Sequence, residues 1–312
     1  MRGHITDALQ LALLALSLAK AQSGGVAVPR LAVIGNLTAR DEACFSGPQP
    51  SAAYLDDSFL GDLMSVQAGP YNYSYHQFGP SGAASSGPVG KPILLIAGQG
   101  STWSAWSPGL LRGLAQNRSV TIYDHPGLGR TTDGRGEMRN YTAAELAEGV
   151  YELVTALELE EPDVLGYSVG GAVALTTVIT YPDLFRKLIL VDTGAGGDGE
   201  RLGGDAAVAR PYLLDIFNTG QQVPGPILYP DTPAGNNGLC RAIAWYEAHK
   251  ADAATTPQIL TQAYLIDEYF GYPSTGDNFV YDNLGNVTLP TFVIAGDEDI
   301  VLDPLDKFLD SS

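Results

Sequence analysis

Basic residues are scarce in this 312-residue chain: 17 Lys and Arg stand against 35 Asp and Glu, a formal charge of -18. Such a surface repels phosphate backbones and anionic bilayers, so nucleic acid is excluded as a natural partner and the acidity reads as solubilising charge. Cysteine is rarer still. Two residues, Cys44 and Cys240, cannot build a disulfide-dense scaffold; they are a candidate disulfide in an oxidising compartment or two buried thiols. No pattern of ligand residues marks a metal site, and the acids around Gly296-Asp297-Glu298-Asp299 lack the glycine and final glutamate of a calcium loop. The apolar run near the N-terminus, Leu9 to Ala19, is too short to span a bilayer, so no stable membrane insertion is expected.

What the chain does have is core material. Apolar residues make up 45% and charged residues 17%, a balance that argues for a folded single domain and against global disorder. Arg2, the short apolar run and the small-x-small triplet Ala19-Lys20-Ala21 have the layout of a secretory signal peptide, 1–21, cleaved after Ala21. Acceptor triplets for N-glycosylation begin at Asn36, Asn72, Asn117, Asn140 and Asn286, where the Ser/Thr frequency alone gives about one or two. Both features predict a protein of the secretory lumen or the outside of the cell.

Residues 22–89 read as an N-terminal lead-in with edge strands; the alternating Tyr71-Asn72-Tyr73-Ser74-Tyr75-His76 is the clearest of these. A first core segment, 90–197, then alternates apolar strands (Ile93 to Ala97, Val120 to Tyr123, Asp163 to Tyr167, Leu188 to Val191) with helical stretches, the pattern of a parallel sheet. Between 198 and 289 the alternation dissolves into Pro-, Gly- and aromatic-rich sequence, read as an inserted lid. Strand character returns at Thr291 to Ala295 in a second core segment, 290–312.

Gly166-Tyr167-Ser168-Val169-Gly170 is a G-x-S-x-G pentapeptide closing an apolar strand and opening an Ala/Val-rich helix, the context a nucleophile elbow requires. Ser168 is the candidate nucleophile, with Gly166 and Gly170 giving the turn room. Ala97-Gly98-Gln99-Gly100 follows an earlier strand, where the backbone N–H of Gln99 can join that of Val169 in an oxyanion hole. A dinucleotide fingerprint fails there, because Trp103 stands where the third glycine belongs. No organic or metal cofactor is implied.

The runs LLIAGQGSTWSAW, YDHPGLGRTT, LGYSVGGAVALTTVITYPDLFRKLILVDTGAGG and LPTFVIAGDED, in this order, resemble the α/β-hydrolase superfamily. The resemblance implies an α/β fold: a mostly parallel, doubly wound sheet with helices on both faces and an inserted lid. It also implies Ser168 as nucleophile, Gln99 and Val169 as oxyanion amides and Asp299 as the acid, with Asp192 the competing carboxylate. Ala97 stands where many members carry histidine, a departure the family tolerates.

The family orders its triad Ser, acid, His, and no histidine follows Asp299 in this sequence. His4 falls in the signal peptide, His76 in a strand and His125 in a turn the family uses structurally, while His249 lies in the lid. The missing base reads as a C-terminal truncation that impairs turnover. The expected function is therefore a serine hydrolase acting on a small-molecule ester, amide or related acyl substrate through an acyl-enzyme. A catalytically silent binding or signalling protein is the alternative, and perhydrolase chemistry would use the same residues. Lid aromatics Trp245, Tyr246, Tyr264, Tyr269 and Phe270 line an apolar pocket or pack the core. Oligomeric state has no signature here.

Overall fold

The computed structural model describes residues 39–80, 89–136, 139–196, 228–262, 265, 269 and 279–296. The signal-peptide segment, Asn36, Tyr264, Phe270 and Asp299 lie outside the described residues. In chain order the elements are α1 (Ala39–Ser46), α2 (Ala52–Leu55), β1 (Met64–Ala68), β2 (Tyr71–Phe78), β3 (Ile93–Ile96), α3 (Pro108–Leu114), β4 (Val120–Tyr123), β5 (Thr132–Asp133) and α4 (Ala143–Ala156). There follow β6 (Asp163–Tyr167), α5 (Val169–Thr180), β7 (Lys187–Val191), α6 (Pro233–His249), α7 (Thr256–Thr261), α8 (Phe279–Asn283) and β8 (Thr291–Ile294).

The strands form one sheet in the order β1-β2-β4-β3-β6-β7-β8, with β5 paired to β2. From β4 to β8 every pairing is parallel; β2 pairs antiparallel with β1, β4 and β5. All four residues of β3 and of β4 are buried, the signature of strands covered on both faces. Leu94 and Ile96 point into a core shared with α4 and α5, while Ile93 and Leu95 join Leu111, Trp103, Trp106 and Trp245 of α6 on the opposite face. Helices thus cover both faces of the sheet.

One expectation fails in detail. Tyr71–His76 is not an edge, since β2 has β1 on one side and β4 and β5 on the other. Its alternation instead records a covered face: Tyr71 and Tyr73 are buried against α4, whose Gly149 leaves them room. Period-2 burial reports which face is packed and is silent about lateral position.

Local chemistry explains the helix that backs the site. Thr142 and Glu145 form a reciprocal capping box, Glu145 N–H donating to Thr142 Oγ1 at 3.1 Å and Thr142 N–H to Glu145 Oε2 at 3.2 Å. Leu146, Val150, Leu153 and Val154 then repeat on the buried face of α4, as a 3.6-residue period demands. Helix α5 is buried nearly all round, because it lies between the sheet, α4 and α8.

Between β7 and β8 the described residues are helical, with α6 the longest piece. Thr232 caps it by accepting from Gly235 N–H at 3.0 Å, with Pro233 in its first turn. Cys44 and Cys240 form a disulfide that joins α1 to α6. Arg40 reinforces the joint, donating to Asn236 Oδ1 at 2.8 Å and to the Tyr229 carbonyl at 3.0 Å. The aromatic residues of α6 pack: Trp245 and Tyr246 are buried, and Trp245 Nε1 donates to the Ser104 carbonyl at 2.9 Å. Tyr269 is buried as well, its hydroxyl donating to the Gly194 carbonyl at 3.2 Å. No described helix is long and apolar enough to cross a membrane.

Candidate active site

The chain runs β3 to β4 on one side, then crosses back to place β6 on the other side of β3. The carboxyl ends of β3 and β6 therefore flank a topological switch point, where open α/β sheets bind ligands. Pairing of Ile96 with Gly166 sets the two following turns side by side.

Strand β6 ends at Tyr167 and α5 begins at Val169. Ser168 alone makes the reversal, at φ 53° and ψ -124°. A non-glycine residue there stores roughly 1–3 kcal/mol and persists only where its surroundings fix it. Here they do. Ser168 N–H donates to the Val191 carbonyl at 2.9 Å, while its own carbonyl accepts from Gly171 N–H at 2.8 Å and from Thr193 Oγ1 at 2.7 Å. The hydroxyl is left over: it does not cap α5 and has no hydrogen-bond partner among the described residues.

The flanking glycines answer to space. A Cβ on Gly170 would sit 2.1 Å from the Ile96 carbonyl oxygen, and one on Gly166 would meet the Gly170 carbonyl oxygen at 2.5 Å. Helix α5 is thereby packed hard against the end of β3. A Cβ on Gly98 would lie 3.3 Å from that of Ser168, so the Gly98–Gln99 turn abuts the serine. Neither Gln99 N–H nor Val169 N–H has a hydrogen-bond partner among the described residues. Two free amides beside a free hydroxyl at a helix N-terminus can stabilise an oxyanion on a carbonyl under attack.

Asp124 supports this turn, a role that sequence reasoning missed. Its carboxylate accepts from Trp103 N–H at 2.9 Å and from Arg130 N–H at 3.1 Å, tying the loop after β3 to the loop after β4. Burial pushes its pKa up to about 7, with the two backbone donors opposing that rise. The signal available was a carboxylate directly after an apolar strand. Its neighbour His125 is buried with Nε2 2.9 Å from the Ala97 carbonyl oxygen, and burial pushes its pKa down to about 4. His125 thus pins the start of the Gly98–Gln99 turn as a neutral donor.

The other described histidines are engaged elsewhere. His76 is buried edge-on to Trp103, ring centroids 4.6 Å apart, and burial lowers its pKa. His249 is buried with Nδ1 2.8 Å from the Trp245 carbonyl oxygen and Nε2 3.1 Å from Asp57 Oδ2. No described histidine is hydrogen-bonded to Ser168.

Asp192 directly follows β7, at φ 43°. Its Oδ1 accepts from Gly296 N–H at 3.0 Å, so this carboxylate anchors the start of the segment that continues to Asp299. A separate cleft lined by Gly129, Arg130, Asp252, Thr255 and Gln258 includes none of Ser168, Gln99 or Val169. Among the described residues no group of three His, Cys, Asp or Glu could hold a metal.

Residues 91–218 match the model of the family described as the α/β hydrolase fold. The chain has the α/β-hydrolase fold. Its likeness to solved structures extends across the fold. An α/β hydrolase fold protein from Chitinophaga pinensis superposes with a TM-score of 0.61 at 22% identity, covering 80% of this chain and 85% of the other. The enol-lactonase from Burkholderia xenovorans LB400 gives 0.58 at 18% identity, covering 78% and 85%. In sequence, the chain is 32% identical over 111 residues to a Rhizobium rhizogenes protein named as a carbamate hydrolase, RutD. That match covers 36% of this chain and 41% of the relative's length.

Proposed function

We propose that this α/β-hydrolase-fold protein is a serine hydrolase acting on a small-molecule ester, amide or related acyl substrate through an acyl-enzyme. The observation that carries the reading is Ser168, alone in a strained strand-to-helix turn, with its hydroxyl and two adjacent backbone amides unpaired among the described residues. Ser168 Oγ adds to the acyl carbonyl carbon, and the carbonyl oxygen becomes an oxyanion between the Gln99 and Val169 N–H groups. Collapse expels the alcohol or amine and leaves an ester on Ser168; water then adds to that ester and releases the acid. Asp299 is assigned as the acid by its place after β8, with Asp192 holding the segment that leads to it. The names of the relatives, a carbamate hydrolase and an enol-lactonase, agree with acyl chemistry on small molecules.

None of the described histidines is hydrogen-bonded to Ser168, and with these side chains alone turnover is expected to be several orders of magnitude below that of a complete triad. The test is hydrolysis of p-nitrophenyl acetate by the chain and by its Ser168→Ala variant, with and without added imidazole. Slow, Ser168-dependent turnover that imidazole accelerates supports the reading; equal rates in both proteins contradict it. The engagement of those histidines favours one second reading, a catalytically silent binding protein, for which ligand binding would persist without Ser168-dependent turnover under any condition.

Secretion and N-glycosylation belong to the same proposal. Asn72, Asn117, Asn140 and Asn286 are all exposed, and the Cys44–Cys240 disulfide suits an oxidising compartment. Sensitivity of the mass of the expressed protein to an endoglycosidase tests it.

A further inference from the structure

Two side-chain amides border the turn that carries the Gln99 N–H: that of Gln99 itself, whose Nε2 is buried, and that of Gln262. From the lid, Gln262 reaches this turn: its Oε1 accepts the Gly100 N–H at 2.7 Å, and its side chain is fully buried. Ile259 packs on the same glycine, whose φ of +63° and close approach to the Ile259 side chain leave no room for a Cβ. Because a backbone N–H must meet an acceptor, this bond fixes which end of the Gln262 amide is oxygen. Nε2 of Gln262 is thereby a buried donor, and it has no partner among the described residues. Nε2 of Gln99, one residue from Gly98 and its contact with Ser168, is also buried without a partner among them.

Buried donors without acceptors are rare because each carries the full desolvation cost, and at functional sites they mark places where a ligand supplies the acceptor. We propose that the side-chain amides of Gln99 and Gln262 form a specificity site for a second, neutral carbonyl oxygen on the acyl portion of the substrate, as in an N-acylamino ester. Primary amides donate without carrying charge, and a chain of charge -18 disfavours a carboxylate in that place. This inference rests on the serine-hydrolase reading for the position of the scissile carbonyl. It adds a lid residue that holds the oxyanion turn and reads the substrate at once.

The test measures binding rather than turnover. In the Ser168→Ala background, ligand-observed NMR titrations compare N-acetylglycine methyl ester with methyl 4-methylpentanoate, which replaces the second carbonyl oxygen by a methyl group. The account predicts that the oxygen-bearing ester binds about tenfold tighter, although it is the less apolar ligand, and that Gln99→Met or Gln262→Met each lowers this ratio several-fold. Gln99→Met breaks no side-chain hydrogen bond of the ligand-free chain, so its thermal midpoint should be equal or higher; it carries the test if loss of the Gly100 bond unfolds Gln262→Met. Equal or tighter binding of the oxygen-free ester, or a ratio that survives Gln99→Met, overturns the proposal. A retained, glutamine-dependent ratio in a chain without Ser168-dependent turnover would contradict the hydrolase reading and leave the amide site standing.

Discussion

The Ser168 turn and strand β8 lie at the same sheet yet are built in different ways. Around Ser168, β3 and β6 are covered on both faces, and α5 packs so closely on β3 that Gly170 cannot carry a Cβ. At β8 all four residues are exposed, with Phe292 at 63%, Val293 at 39% and Ile294 at 44%. One carboxylate, Asp192, holds the start of the segment that follows. Close packing on all sides dictates the geometry at Ser168, whereas among the described residues β8 is held by its pairing with β7 and by the Asp192–Gly296 hydrogen bond. The difference teaches where substitutions will matter.

The largest effect is expected at Gly170. Gly170→Ala forces a methyl against the β3 carbonyls and should cost about 3 kcal/mol or more, read by urea denaturation; Gly285→Ala, near β8, meets no atom within 4 Å and should stay within about 0.5 kcal/mol. Comparable losses at both positions would erase the contrast.

Next in size is a pH effect beneath the Gly98–Gln99 turn. Asp124, with its folded pKa raised to about 7, lowers stability as pH rises from its unfolded value toward 7, because the folded state binds the extra proton there. His125, lowered to about 4, acts oppositely: stability is lost as pH falls from 6.5 toward 4, because the unfolded chain takes up the proton first. Over pH 5 to 7 these two contributions nearly cancel. His125→Gln, which retains a donor for the Ala97 carbonyl, should therefore leave a chain that loses about 2 kcal/mol on going from pH 5 to 7. Thermal melts across that range check it; a variant with the same pH profile as the parent would contradict it.

Relief of strain comes third. Ser168→Gly, allowed at φ 53°, should raise stability by about 1 kcal/mol while abolishing acyl transfer, seen as a higher thermal midpoint. Smallest is Phe292→Thr on β8, where the side chain is 63% exposed, within about 0.5 kcal/mol in stability but with less self-association in sedimentation, since exposed apolar surface promotes association.

The same contrast explains how much was legible in the sequence. Strands β3, β4 and β6 are apolar runs because both faces are buried, and Gly166-x-Ser168-x-Gly170 follows one of them, so the elbow could be placed from spacing alone. Strand β1 was not legible: Met64–Ala68 is short with Ser65 and Gln67 in it, and its absence from the reading made β2 look like an edge. The pairing of Cys44 with Cys240, 196 residues apart, stayed open because spacing says nothing about which cysteines meet. Gln262 left no trace at all, since its role comes from the approach of a lid helix to Gly100. Asp299 could be proposed from its place after a strand, but it lies outside the described residues.

The central claim is that Ser168 is a nucleophile. Labelling the folded chain with a fluorophosphonate probe and mapping the adduct by peptide mass spectrometry tests it most directly. The account predicts a single adduct on the peptide containing Ser168, absent in Ser168→Ala and after heat denaturation. No adduct, or an adduct on another residue, would contradict it.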